Sequence, residues 1–230
     1  MKTIGLIGGM SWESSAEYYR LINQRLKEKL GGHNNARSLM VTVNFHEIEA
    51  LQHAGQWDRL GGIMQDAARQ LERGGADFIM LCTNTMHKVS PQIEAAVAIP
   101  FLHIADPTAA AIKQHGFRKV GLLGTRFTME QDFYRGRLEE KHGLSVITPD
   151  DAGRTLVHKV IYEELCHGKV LDASRQAYLA IIDGLKHRGA EAVILGCTEI
   201  ALLIKPEHAS LPVFDTTGLH ADAAVLLACS

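Results

Sequence analysis

The sequence predicts an α/β fold built twice, as two similar domains that are each a parallel sheet flanked by helices and that are related by pseudo-twofold symmetry. Three observations point there. Short apolar runs alternate with longer amphipathic segments, the signature of successive βαβ units. The chain has 230 residues, 46% hydrophobic and 22% charged, which accommodates two compact domains of roughly 100–150 residues each. It also repeats itself: GADFIMLCT at residues 75–83 lies over GAEAVILGC at 189–197 without a gap, 114 residues on, and GLIGG at Gly5 lies over GLLGT at Gly121, 116 residues on. Two pairs at nearly one step favour duplication over chance likeness between buried strands.

The elements follow in order. Residues 4–7 read as a buried strand broken at Gly8-Gly9, and 14–30 as a helix stopped by Gly31-Gly32. A strand is expected over 39–45, a loop through NFHEIEALQ, a helix over 57–73 ended by Gly74-Gly75, and a strand over 78–81. A short helix over 91–98, a strand over 101–104 and a helix over 107–115 complete the first cycle. The second cycle has strands over 120–123, 145–147 and 193–195, with helices over 129–142, 156–166 and 173–188. The expected partition is residues 1–104 plus 215–230 in one domain and 105–214 in the other, with the active site in the cleft between them.

Composition removes several function classes. With 24 basic against 26 acidic side chains, no basic field exists to hold a phosphate backbone, so nucleic acid is not an expected partner. Cys82, Cys166, Cys197 and Cys229 are far apart with no C-x-x-C pair. That pattern frames neither a zinc site nor a disulfide scaffold and fits free thiols in a cytoplasmic protein. The apolar run after Lys2 ends at Glu13, too early for a signal peptide or a membrane span of roughly 20 residues. The twelve histidines show no H-E-x-x-H pairing, so no metal is expected. GLIGGM does not match the dinucleotide-binding G-x-G-x-x-G, and no P-loop lysine follows it.

Ligands of parallel α/β sheets bind beyond the carboxyl ends of the strands. The repeat makes Thr83 and Cys197 mates at two such ends, while Cys82 points to the other face of its strand and is expected to be packed. LCTNTMH and LGCTE carry small polar groups there. Asn84, Thr85 and Thr198 suit a carboxylate, although each alone could simply cap a helix or fill a turn. As two related clusters, each beside a side chain able to transfer a proton, they favour binding. Met10 and Ser11 end the first strand and Thr125 ends its equivalent, which makes them pocket candidates; core filling is the competing role for Met10. Trp12 and Trp57 read as packing or interface residues.

The run IMLCTNTMHK around Asn84, GCTE at Cys197 and the GGMSWES opening resemble the aspartate/glutamate racemase family across essentially the whole chain. The resemblance implies a cofactor-independent amino-acid racemase with a small-molecule amino-acid substrate, two similar α/β domains and often a homodimeric assembly. In such enzymes two thiols flank the substrate Cα, one removing the α-proton as thiolate and the other delivering a proton to the opposite face. Here the place of the first thiol holds Thr83. A hydroxyl is a poor base near neutral pH but can deliver a proton. By resemblance, Cys197 deprotonates the L-enantiomer and Thr83 reprotonates the other face, so the D-to-L direction is slow. His87, or the helix starting near Glu199, is expected to help stabilise the thiolate. Aspartate-type members often carry an arginine where Gln52 stands and a lysine where Cys166 stands, so selection for acidic side chains is expected to be weaker. Two rivals remain: a single-cysteine decarboxylase or isomerase of the same fold, and a non-catalytic amino-acid-binding regulator.

Overall fold

A computed structural model describes residues 1–230 and divides them into two units, Met1–Ile104 with His220–Ser230, and Ala105–Leu219. The return to the first unit therefore falls at His220, not at residue 215.

The first unit holds a parallel sheet of β1 (Ile4–Gly8), β2 (Ser38–Thr42), β3 (Phe78–Leu81) and β4 (Phe101–Leu102) in the order β2-β1-β3-β4. The second holds β5 (Lys119–Gly124), β6 (Ser145–Ile147), β7 (Ala192–Gly196) and β8 (Val213–Asp215) in the order β6-β5-β7-β8. The two orders are the same topology. The repeat also extends to register, because Gly5 pairs with Ile79 in the first unit and their counterparts Gly121 and Val193 pair in the second.

Both central strand pairs are buried on both faces, as parallel strands under helical layers must be. In β3, Phe78 and Met80 pack with Tyr18, Ile22 and Leu26 of α1 (Trp12–Leu30), and Cys82 joins them just beyond the strand. Ile79 and Leu81 face the other way, onto Leu60, Met64 and Leu71 of α3 (Trp57–Arg73). In the second unit Val193 and Leu195 pack on α8 (Asp151–Glu163) and α9 (Asp172–His187) through Val157, Ile161, Tyr178 and Ile182. The period-two alternation of a strand thus separates Cys82 from Thr83. Gly5 and Gly121 let neighbouring segments approach closely: a Cβ on Gly5 would lie 2.9 Å from the Ala76 Cβ, and one on Gly121 would lie 2.8 Å from the Leu185 Cδ1.

Several boundaries differ from the sequence reading. The second strand ends at Thr42, and residues expected as loop form α2 (Phe45–His53), with the Asn44 side chain accepting from the His46 N–H at 3.2 Å. The helix expected over 129–142 is broken. Its first turn, α6 (Arg126–Glu130), is capped by Thr125, Gln131 is extended, and α7 (Asp132–Gly136) leads into a π-helical turn over 137–141. The Asp150 carboxylate starts α8 by accepting from the Gly153 N–H at 2.8 Å, five residues before the expected start. The helix expected near Glu199 is only the four-residue α10 (Ile200–Leu203), and two elements were not expected, β8 and α11 (Thr216–Ala228). The remaining helices are α4 (Ser90–Ala96) and α5 (Ala105–Gln114). No helix is long and apolar enough to cross a membrane. Trp57 packs on the first-unit core with the Lys88 ammonium 3.8 Å over its ring, whereas Trp12 is 70% exposed and packs into no core.

Asp106, in the first turn of α5, ties that helix to the segment after α7. Its carboxylate accepts two bonds from Arg137 (2.8 and 2.7 Å), one from Lys141 (3.0 Å) and one from His142 (2.8 Å). These donors outweigh partial burial and hold the carboxyl far below the usual carboxylate range. Because the site is partly solvated, the network contributes modestly. Asp106→Asn is expected to lower the unfolding free energy by about 1–2 kcal/mol at neutral pH. A depressed carboxyl pKa stabilises the fold above the unfolded-state pKa and loses that effect as the pH falls toward the folded-state value. Chemical denaturation of both proteins across the acid range should therefore show the gap starting to narrow as the pH falls through the ordinary carboxylate titration and closing only well below it.

Candidate active site

In the first unit, the candidate residues collect past the carboxyl ends of β1 and β3. Gly9 turns the chain with φ +89°, and a Cβ there would lie 2.1 Å from the Val43 carbonyl oxygen; only glycine fits. The Gly9 N–H donates to Ser15 Oγ (2.8 Å), which donates in turn to the Ser11 carbonyl (2.9 Å). Ser11 Oγ accepts from the Ser14 N–H (3.2 Å), and Ser14 Oγ donates to the Cys82 carbonyl (2.8 Å). The start of α1 is thereby fastened to the end of β3. Met10 is buried against Ile48, Leu81 and Met86, so its side chain fills the core as well as ending the first turn.

Cys82 is fully buried, and burial alone pushes its thiol far above the ordinary range, so it carries no thiolate. Thr83, next in the chain, is half-buried. Asn84 and Thr85 are almost completely buried, and the Asn84 side chain does not cap the 3-10 turn Thr85–Val89 that follows. Gln52, on α2, donates from Nε2 to Met86 Sδ at 3.2 Å, while its buried Oε1 has no partner. A buried unmet acceptor is costly unless a ligand donor reaches it.

His87 does not play the expected part. Its Nδ1–H donates to the Thr83 carbonyl at 2.8 Å, and its Nε2 accepts from the Ile104 N–H at 3.2 Å. Burial, then the neighbouring His103 and His220, hold its pKa well below the ordinary value. The ring is neutral and supplies no positive charge to a thiolate.

In the second unit, Cys197 and Thr198 follow β7, and both are half-buried. The Cys197 thiol donates to Glu199 Oε2 at 2.9 Å. Burial first, then the Glu199 charge and the neighbouring Cys166, push the thiol well above its ordinary pKa. The expected help from a helix terminus is absent too, since α10 is four residues long and offers little aligned dipole. The resting group is therefore a protonated thiol hydrogen-bonded to a buried carboxylate. Such a pair can still act as base when the carboxylate takes the thiol proton as the sulfur meets a carbon acid. Sequence reasoning gave Glu199 no place as a partner of the Cys197 thiol, and the signal was its position two residues after Cys197. Thr125 caps α6: its Oγ1 accepts from the Thr128 N–H at 3.3 Å and lies 3.2 Å from Thr128 Oγ1.

Comparison with known proteins decides the family. The profile of the Asp/Glu/Hydantoin racemase family matches residues 7–224. The chain belongs to this family. Like its relatives, this racemase-family protein is an isomerase. It is 22% identical over 234 residues to the broad specificity amino-acid racemase RacX of Bacillus subtilis, covering 96% of both chains. It resembles the crystal structure of a candidate Asp/Glu racemase from Yersinia pestis with 55% identity and a TM-score of 0.94, covering 100% of both chains. An aspartate racemase homologue from Pyrococcus horikoshii OT3 follows at 36% identity and a TM-score of 0.88, again over 100% of both.

The Cys197–Glu199 contact gives a direct expectation. Alkylation of Cys197 by iodoacetamide, followed by peptide mass spectrometry, should rise with pH along a limb displaced above the ordinary thiol range. Glu199→Gln removes the anion that raises the thiol pKa, so its limb should move to lower pH and alkylation at pH 7 should quicken several-fold. An unmoved limb would show that Glu199 does not govern the thiol.

Proposed function

We propose that this protein racemises amino acids of the aspartate/glutamate type, with tolerance for uncharged side chains, by proton transfer on opposite faces of Cα. The observation that carries the reading is the Cys197 thiol paired with Glu199 at the carboxyl end of β7, together with the Thr83 hydroxyl at the repeat-equivalent end of β3. Cys197 is the base for the L-enantiomer. Glu199 accepts the thiol proton while the sulfur takes the α-proton, and the electron pair moves onto the substrate carboxylate. Thr83 donates its hydroxyl proton to the opposite face and is refilled from solvent, to which Glu199 returns the other proton. Protons balance over the cycle.

Amino-acid α-protons are far less acidic than a thiol, so the developing charge needs preorganised donors. Asn84, Thr85 and Thr198, with nearby backbone N–H groups, are assigned to the substrate carboxylate, and Met10 and Thr125 to the walls near the two strand ends. Gln52 presents an uncharged amide with a free acceptor, which supports a side-chain pocket that does not demand a second carboxylate. The broad specificity of RacX is consistent with this. The exposed Trp12 and Tyr19 on α1 support self-association as a homodimer, and the free thiols support a cytoplasmic setting.

A panel of L- and D-amino acids in D2O, read for Cα deuteration and chirality, tests the reading. At saturating substrate kcat should be clearly higher from L- than from D-enantiomers, with KM shifted in step because an equilibrium constant of one makes kcat/KM equal in both directions, and Cys197→Ala should lower L-substrate deuteration by about 10³-fold or more. Cys82→Ala should leave the rates within about twofold. Equal kcat values from both enantiomers would overturn the assigned asymmetry. Loss of CO2 would instead favour a decarboxylase, and tight binding without α-proton exchange would favour a regulator.

A further inference from the structure

Below Thr83 lies a group of buried rings that the proton-transfer scheme does not use. His87, His103 and His220 are each at most 2% exposed, with ring centroids 4.5 Å apart for His87 and His103 and 6.0 Å for His87 and His220. His220 is anchored at both nitrogens, Nδ1 to Tyr18 Oη and Nε2 to the Leu102 carbonyl, each at 2.9 Å. His87 is likewise engaged at both nitrogens, on Thr83 and Ile104. The bond from the His87 ring to the Thr83 carbonyl links this cluster to the candidate site.

The local backbone explains why that bond is needed. In an α-helix the Thr83 carbonyl would accept from the N–H four residues on, which is that of His87. Here the turn is 3-10, and the His87 N–H goes to the Asn84 carbonyl at 3.1 Å instead. The Thr83 carbonyl would be left over, and the ring Nδ1–H of the same His87 takes the place of the missing backbone donor. Nε2 meanwhile holds the N–H of Ile104, just past β4. One imidazole therefore joins the end of β3 to the segment after β4 and sets the backbone at Thr83.

We infer that His87 is a positioning residue for proton delivery by Thr83, acting through the Thr83 carbonyl. This rests on the assignment of Thr83 under the proposed function. A hydroxyl that must deliver a proton to one face of a carbon tolerates little displacement, since errors of about 1 Å can cost about 10²-fold. Cys197, with its own partner Glu199, does not depend on the bond. Disturbing His87 should therefore separate two reactions of the same L-substrate: α-proton exchange, which needs the Cys197–Glu199 pair but not Thr83, and inversion, which also needs Thr83.

Two amide variants make the test. His87→Asn can keep a donor at the Nδ1 position, opposite the Thr83 carbonyl, but not the acceptor for Ile104. His87→Gln reaches the Nε2 position and can keep the Ile104 contact, but not the donor to Thr83. With L-aspartate and L-glutamate in D2O, deuterium in recovered L-substrate reports exchange and D-product reports inversion. The expected result is that His87→Gln raises the ratio of exchange to inversion by about tenfold, while His87→Asn stays within about twofold of the unmodified protein. Equal ratios in all three proteins, or a parallel fall of both reactions, would overturn the positioning role. Thr83→Val separates this from failure of the underlying reading: if it leaves inversion intact, the Thr83 assignment itself is wrong. If it abolishes inversion while His87→Gln leaves the ratio unchanged, only the role of His87 fails.

Discussion

The parallel pairing of the two central strands in each unit is the constraint on which everything else rests. β1 with β3, and β5 with β7, are covered on both faces, so past Lys119 at the start of β5 their residues are apolar or glycine and their hydrogen bonds are spent within the sheet. Chemistry can enter only where the pairing stops. Gly9, Thr83, Thr125 and Cys197 are all at such stops, and each is the first place where the chain can offer a polar group without burying it unpaired. The common register of the two pairs keeps Thr83 and Cys197 at equivalent stops, so the duplication repeats the placement of these two groups as well as the fold.

At these stops the two units solve different electrostatic problems. In the first, burial makes ionisation expensive: Cys82 stays a thiol and His87 a neutral imidazole. In the second, a carboxylate is kept next to a thiol, which suppresses the thiolate at rest but gives the thiol proton somewhere to go. A hydroxyl in one unit and a thiol–carboxylate pair in the other are not interchangeable, and this chemical asymmetry is laid over two sheets of the same topology.

Much of this could be read from residues alone. The strands were legible because runs such as FIML and AVILG can only be buried, and the repeat offsets anticipated a register that the sheets share. The packing of Cys82 followed from period-two alternation. What escaped had weak local signal. α11 is apolar on nearly every side, so it shows no amphipathic period; α2 is short and was obscured by the strand before it; and the break at Gln131 has no glycine or proline to mark it. The role of His87 was illegible for another reason. A histidine near a candidate base reads as electrostatic help until both of its nitrogens are seen to be occupied by backbone groups.

The two tryptophans also divide unevenly. Trp12, largely open to solvent, and Trp57, covered by the Lys88 side chain, both belong to the first unit, and the second unit has none. Intrinsic tryptophan emission is therefore blind to half of the molecule: it follows the fate of the unit that carries Thr83, while the unit that carries Cys197 can loosen or unfold in spectral silence.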